Sequence, residues 1–303
     1  MRNVDSKQTH SELEIDMEFT LATFNTYWLF DNEAPLQRWG AKLPDGGIEE
    51  KIDLIANEIM AIGPNGADVL ALQEVEGRVV LEPLMSKLEE LGSPLKYCWS
   101  SETLDPYTGQ NVAVVSRFPA TTSPITRLDQ TVLPYYDHRN IERIGSLGKF
   151  LRVDVEISGE VLSLFVLHLK SQRGGTEETR LLRNAQARIV RDFTRPRVEQ
   201  GNSRSPSFTA IVGDLNDLPR SSPLDILMGR HDASYNLESA TAKLPEEEQY
   251  TYTYDGKRQQ LDHILLSKFT HDRMLASGFK RVSEDVSDHD AVCVTLNLSL
   301  PAR

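Results

Sequence analysis

Short apolar runs recur along the chain, each passing into polar residues: FTLATFN at 19–25, DVLALQE at 68–74, NVAVVSR at 111–117 and VLSLFVLH at 161–168. FTAIVGD at 208–214, LDHILLS at 261–267 and AVCVTLNL at 291–298 continue the series. Their length and β-branched content predict buried strands. FLRVDVEI at 150–157 alternates instead, the pattern of a half-exposed strand, and Gly159 predicts a tight turn into the run at 161–168. Ile48, Ile52, Ile55, Ile59 and Ile62 recur at steps of four and three, which predicts a helix stopped by Gly63 and Pro64. A second helix is expected from Thr176 toward Thr194, with Leu181, Ala185, Ile189 and Phe193 on its apolar face and Arg183, Arg188 and Arg191 largely off it. A third is expected around residues 81–91.

Strands and helices alternate in part of the chain and hairpin-like strand pairs occur elsewhere, so the expected fold class is α/β with a mixed sheet covered by helices. Stretches 31–47, 101–110, 119–148, 196–207 and 240–250 are rich in Pro, Gly, Ser or charge and are expected as long loops. Residues 1–16 are polar and aperiodic, which predicts a flexible N-terminal arm ahead of a single domain over 17–303.

Composition refines this picture only modestly. With 303 residues, 39% hydrophobic and 26% charged, the chain can bury a sizeable core. The formal net charge of −12 argues against a protein that holds nucleic acid on a broad basic surface. It leaves room for an enzyme that meets a polyanion through a metal ion and a few local cations. Cys98 and Cys293 form no metal-binding or redox spacing. The opening MRNVDSKQTHSELEIDMEF lacks the apolar run of a secretory peptide, and no stretch approaches a membrane span. A soluble protein without membrane anchor is expected, cytoplasmic for want of a signal peptide, with secretion left open; no protein partner is implied.

Candidate chemistry stands at the strand ends. Asn25 ends TLATFN, Glu74 ends VLALQE and His168 ends LSLFVLH. Asp214 and Asn216 follow TAIVG, Asp262 begins the next run, and Asp288 and His289 directly precede the last. Any one of these alone reads as a solvated strand boundary. Together they supply what phosphoester hydrolysis requires, namely carboxylates for a hard metal ion and histidines for proton handling. The set lacks the thiolates or clustered histidines of a zinc site, so Mg²⁺ or Mn²⁺ is the ion implied.

FNTYW at 24–28, LQEVE at 72–76, HLKS at 168–171, GDLND at 213–217, LDHIL at 261–265 and SDHDAV at 287–292 occur in the order found in the endonuclease/exonuclease/phosphatase superfamily. The chain resembles that superfamily over about residues 18–298. It is closest in motif style to the bacterial extracellular-nuclease-like members. The resemblance implies a pancreatic-deoxyribonuclease-like fold, a four-layer α/β sandwich of two packed mixed β-sheets flanked by helices. It implies that Glu74 ligates the metal, with Asn25 close to ion and phosphate and Asp288 completing the metal or water network. Asp214 and Asn216 would orient water and hold a phosphoryl oxygen. His289 would contact the phosphate with Asp262 fixing its imidazole, and His168 would donate to the phosphate or leaving oxygen. Lys170 and Arg173 of HLKSQRGG would bind substrate phosphate, with Lys257 and Arg258 near by. In the pancreatic-type branch a glutamate pairs with the first histidine; here Gln110 and Asn111 occupy that neighbourhood.

The leading expectation is a nuclease acting on DNA or RNA. The alternative places the same site on inositol phosphates or phospholipid head groups, as a phosphatase or sphingomyelinase-like diesterase; a non-catalytic binding module would be expected to have lost site residues. Against a lipid substrate, the sequence shows no exposed apolar hairpin. Tyr135, Tyr136, His138 and Arg139 are expected in an ordinary surface loop, though such side chains can stack a base. Gly174 and Gly175 are expected as a turn before a helix, His263 as a packed residue, and Trp28, Trp39 and Trp99 as packing or loop anchors.

Overall fold

The computed structural model describes residues 18–31, 36, 41–63, 66–103, 107–128, 133–201, 208–230, 232 and 234–298. The expected arm at 1–16 and Trp39 lie outside the described residues. One six-stranded sheet is built from β1 (Glu18–Leu29), β2 (Val69–Val75), β3 (Tyr97–Ser100), β4 (Asn111–Ser116), β14 (Met274–Lys280) and β15 (Ala291–Asn297), in the order β14-β15-β1-β2-β4-β3. A five-stranded sheet takes β7 (Phe150–Ile157), β8 (Glu160–His168), β9 (Phe208–Asp214), β10 (Leu237–Ser239) and β13 (Asp262–Ser267), in the order β10-β13-β9-β8-β7. Both sheets are mixed: β1 runs parallel to β2 and β8 parallel to β9, and the other pairs are antiparallel. Two hairpins stand apart, β5 (Leu133–Tyr136) with β6 (Glu142–Gly145), and β11 (Tyr252–Tyr254) with β12 (Lys257–Gln259).

Three apolar layers hold the two sheets and their helices together, because strand side chains alternate between faces. Phe19 and Leu21 of β1, Val69 and Ala71 of β2, Leu162, Leu164 and Val166 of β8, and Phe208, Ala210 and Val212 of β9 meet between the sheets. The other face of the six-stranded sheet, with Ala22, Phe24, Leu70 and Leu72, is covered by α1 (Gly47–Met60) and α2 (Arg78–Glu90). The other face of the five-stranded sheet, with Phe165, Leu167 and Ile211, is covered by α3 (Thr176–Gly201) and α4 (Ser222–Met228). The result is helices, sheet, sheet, helices, the four layers the sequence motifs imply. A further helix, α5, spans Lys268–His271.

The predicted strands and helices are all present, including the stripe of α1, which buries Ile52, Ile55 and Ile59. Ser158 and Gly159, both at positive φ, make the two-residue turn between β7 and β8. The alternation in β7 is interrupted by Asp154, which is buried because Ser163 and Arg152 bond its carboxylate.

Four expectations are corrected. The second helix does not give way to a loop at 196; it continues through Pro196 to Gly201 and carries Val198 into the core. Arg183 does not sit off the packed face: it is fully buried, its charge met by Asp217. The stretch 119–148 is not loop throughout, since the Asp137 carboxylate accepts from the backbone of Arg139 and Ile141 and closes the β5–β6 turn. That hairpin exposes Tyr136, Ile141 and Ile144, so the chain does present an exposed apolar hairpin; three apolar residues separated by charges give no run in sequence. Among the described residues no helix is long and apolar enough to cross a membrane.

Candidate active site

The period of two that builds the inter-sheet core also builds the site. On β1 the inward phase Phe19, Leu21, Thr23 leads to Asn25; on β8 it leads through Val166 to His168, and on β9 through Val212 to Asp214. On β13, Ile264 and Leu266 face inward and so does Asp262 at the strand start. Register brings these ends together, with His168 beside Asp214 across the parallel pair and Asp262 beside Asp214 across the antiparallel pair. Glu74 is out of phase, since Leu70 and Leu72 face the helices. Its backbone solves this: Glu74 has φ +61°, and the β2 register shifts between Gln73 and Val75, a bulge that re-aims the side chain. Gly213 has φ +134°, and a Cβ there would lie 2.0 Å from the Leu167 carbonyl oxygen, so only glycine lets β9 approach β8 beside Asp214.

Hydrogen bonds tie the carboxylates and imidazoles into one cluster. Asn25 Nδ2 donates to Asp214 Oδ2 at 3.1 Å, and the Trp28 amide donates to Glu74 Oε2 at 3.1 Å. His168 Nε2 lies 3.5 Å from Asp214 Oδ2 and 3.9 Å from Glu74 Oε1. Asp214 Oδ1 accepts from the Asn216 amide at 2.9 Å, and Asn216 Nδ2 donates to the Leu169 carbonyl at 3.1 Å. His289 Nδ1 and Asp262 Oδ2 are 2.7 Å apart, and Thr251 Oγ1 accepts from the Asp262 amide at 3.1 Å. Tyr252 stacks obliquely on His289 with ring centres 4.9 Å apart.

The two histidines are driven in opposite directions. Burial, reinforced by the positive charges of Lys149, His289 and Lys170, holds the His168 pKa well below its ordinary value. Burial also disfavours charge on His289, but the charge and hydrogen bond of Asp262, with Asp214 and Asp288, raise its pKa well above the ordinary value. Burial and the Asp262 charge push the Asp214 carboxyl up, and burial raises Glu74 against the opposing charge of Lys149. The two imidazoles of one cluster are thus driven toward opposite charge states, an arrangement suited to dividing donor and acid–base roles.

Of the sequence candidates, Asn25, Glu74, His168, Asp214, Asn216, Asp262 and His289 are brought together. Asp288 lies exposed at the rim beside His289. Lys170 stands just past His168, its Nζ donating to Ser171 Oγ at 3.2 Å and to the Arg173 carbonyl at 3.4 Å. Arg173 is exposed at the turn before α3. His263 is buried, its Nε2 2.9 Å from the Asp217 carbonyl. Trp99 packs on the inter-sheet core and Trp28 on Phe30.

Sequence reasoning missed two cations, Lys51 and Lys149, and the part Gln110 plays beside the second. Lys51 is buried with its Nζ bonded to the Val286 carbonyl, and burial lowers its pKa to about 8 against the charges of Asp288 and Glu74. Its signal was a cation inside the apolar stripe of α1, four residues before Ile55. Lys149 and Gln110 continue the inward phases of β7 and β4, two residues before Leu151 and Val112, and Lys149 Nζ donates to Gln110 Oε1 at 2.5 Å. Buried hydrogen bonds brace the loops: Arg183 Nε donates to Asp217 Oδ2 at 2.9 Å and its Nη1 to the Lys170 carbonyl at 3.1 Å. Gln186 accepts from the Lys170 amide at 3.0 Å.

The donor set fits a hard divalent ion. It offers carboxylate and amide oxygens, and Asp262 Oδ1 is buried with no hydrogen-bond partner. Asp214, Asp262 and His289 present ligand atoms within 4.8 Å of one another, a grouping different from Glu74, Asn25 and Asp288. Asp262 Oδ2 and His289 Nδ1 are already committed to each other at 2.7 Å, so that grouping binds an ion through those atoms only by breaking the pair.

No curated protein matches the chain in sequence. Solved structures match it in fold at low identity. An endonuclease/exonuclease/phosphatase from Beutenbergia cavernae superposes with TM-score 0.62 at 18% identity, covering 93% of this chain and 72% of that one. Truncated TDP2 from Caenorhabditis elegans gives 0.55 at 17%, covering 92% and 98%. A variant of beta toxin from Staphylococcus aureus with bound magnesium ions gives 0.56 at 16%, covering 91% and 99%. The endonuclease/exonuclease/phosphatase family model matches residues 22–289, which takes in Asn25 at one end of the site and His289 at the other. The chain belongs to the endonuclease/exonuclease/phosphatase family, whose members are phosphoester hydrolases that use divalent metal ions.

Proposed function

We propose that the chain is a Mg²⁺- or Mn²⁺-dependent phosphodiesterase that hydrolyses nucleic acid. The observation that carries the reading is the Asp262–His289 pair facing Glu74, Asn25 and Asp214 across one pocket at the end of the inter-sheet core. Glu74, with Asn25 and Asp288 beside it, would hold the ion, which when bound supplies positive charge against the phosphoryl oxygens. Asp214, its Oδ1 tied to the Asn216 amide, orients the attacking water and accepts its proton, for which a raised carboxyl pKa is suited. Asn216 and His289 donate to the phosphoryl oxygens, and Asp262 keeps the His289 ring oriented and protonated. His168, held neutral, donates from one nitrogen toward the phosphate or leaving oxygen. Lys170 and Arg173, in the loop between His168 and α3, would hold phosphates of a bound strand.

The test is a panel of DNA, RNA, inositol phosphates and sphingomyelin incubated with the protein and Mg²⁺ or Mn²⁺. Nucleic acid cleavage is expected, abolished by EDTA and reduced at least about a hundredfold by Glu74→Gln, which keeps the shape but removes the charge facing the ion. Full turnover in EDTA would sink the metal assignment. The exposed Tyr136, Ile141 and Ile144 favour a lipid surface as the second reading. Sphingomyelin cleavage with every nucleic acid left intact would establish that reading instead.

A further inference from the structure

We propose that Lys149, held in place by Gln110, contacts the substrate phosphate on the His168 side of the pocket and is a catalytic residue of this chain. The proposal rests on the phosphoester reading above but not on which phosphoester is cut.

Leu151, Val153, Val155 and Ile157 of β7 all face the inter-sheet core, and Lys149 precedes them in the same phase. β7 runs antiparallel to β8, and the Lys149 carbonyl accepts from the His168 amide at 3.3 Å, so Lys149 and His168 end at the same rim. Gln110 reaches that rim from the other sheet, two residues before Val112 in the inward phase of β4. It is 3% exposed and accepts from Lys149 Nζ. The ammonium is therefore fixed from both sheets rather than swinging on a free stem.

Chemistry follows from what stands beside it. His168 Nδ1 is buried without a hydrogen-bond partner, so no carboxylate braces this histidine from that nitrogen; Asp214 and Glu74 face its Nε2 instead. Gln110 is a neutral acceptor that serves an ammonium. Of all charged groups, Lys149 exerts the largest influence on both Glu74 and His168. A fixed, half-buried cation there matches an anionic oxygen of a phosphate. Lys170, by contrast, is turned to Ser171 and the Arg173 carbonyl.

The experiment measures binding of inorganic phosphate to the Mn²⁺-loaded full chain by calorimetry, with Mn²⁺ loading followed separately by electron paramagnetic resonance. Lys149→Met should weaken phosphate binding about tenfold or more, the loss of one charge-assisted hydrogen bond. Its Mn²⁺ affinity should be equal or tighter, because a cation near Glu74 has been removed. Lys149→Arg should keep most of the binding. Gln110→Met retains the lysine but releases it and should weaken phosphate roughly threefold through lost preorganisation. Phosphate binding by Lys149→Met within twofold of the parent would overturn the proposal, as would a parent that binds no phosphate. If Lys149→Met does not fold, unchanged binding in Gln110→Met overturns it. Failure of the nuclease reading looks different: phosphate binding would depend on Lys149 while no nucleic acid is cut.

Discussion

His289 is the residue whose state the fold controls most tightly, since burial alone would leave its ring neutral and Asp262 reverses that outcome. Its pKa in the folded, metal-free protein is raised, so the pair's contribution to stability is complete below the unfolded histidine value of about 6.5. It is lost as pH rises through the raised folded value. Asp262→Asn removes the countercharge and lets burial dominate. In EDTA, the stability gap between parent and Asp262→Asn should be widest below about pH 6.5 and should shrink toward alkaline pH. Urea unfolding across pH measures it, and a gap independent of pH would mean that the pair carries no charge. In activity the two side chains should behave as one unit: His289→Ala and Asp262→Ala should cost similar factors, and the double variant little more than either. Losses that multiply would contradict the pairing.

At the scale of elements, α3 joins stability to the site through a single buried cation. Arg183 is fully buried and donates to Asp217, to the Lys170 and Thr176 carbonyls and to Thr179, tying the loop after His168 to the loop that carries Asn216. Removing one partner leaves the other as an unpaired buried charge. Arg183→Met should therefore destabilise by about 3–5 kcal/mol, and adding Asp217→Leu should recover part of that loss. Chemical denaturation of the two variants decides it; a double variant no more stable than the single one would show that Asp217 is not the group left stranded. The same arginine shows where sequence reading stops. Strand positions and most site residues were legible because apolar runs and their polar ends are local properties, and Asn25, His168, Asp214 and Asp262 stand at those ends. Arg183 was assigned to the polar side of α3 because the carboxylate that neutralises it comes from thirty-four residues away. Lys149 went unread, and Gln110 was noted without its partner, for the same reason, their pairing arising only when β4 and β7 meet from different sheets. β14 escaped because MLASGFK contains Gly and Ser and is held at a sheet edge by pairing with β15. Glu74 was legible as a site residue, yet nothing in LQEVE announces the bulge that turns it inward.

The whole molecule carries a net charge of −12, which ought to repel a polyanion, while Lys149 pairs with His168, Lys170 and Arg173 follow His168 in the chain, and Lys257 and Arg258 lie on β12, paired with the strand of Tyr252. Which influence governs binding is a question of range. At an ionic strength of 0.1 M the Debye length is about 10 Å, so acidic residues spread over the far surface are already screened at the scissile phosphate, whereas cations in contact are not. Added salt should then weaken binding by displacing those few contacts rather than strengthen it by masking the overall repulsion. With about three phosphates contacted, the log–log slope for duplex DNA is roughly −2.7, so going from 50 to 200 mM salt should raise the substrate requirement by something on the order of fortyfold. The rate at saturation should change little. Arg173→Ala should reduce the slope by about one and raise KM more than it lowers kcat, because an exposed arginine holds the backbone without touching the reacting atoms. A small phosphorylated head group enclosed in the pocket would exchange far fewer ions and give a nearly flat salt profile. Steady-state kinetics at several salt concentrations separate the cases. A KM for DNA that falls as salt rises would mean that bulk repulsion dominates and that the local cations do not hold the strand.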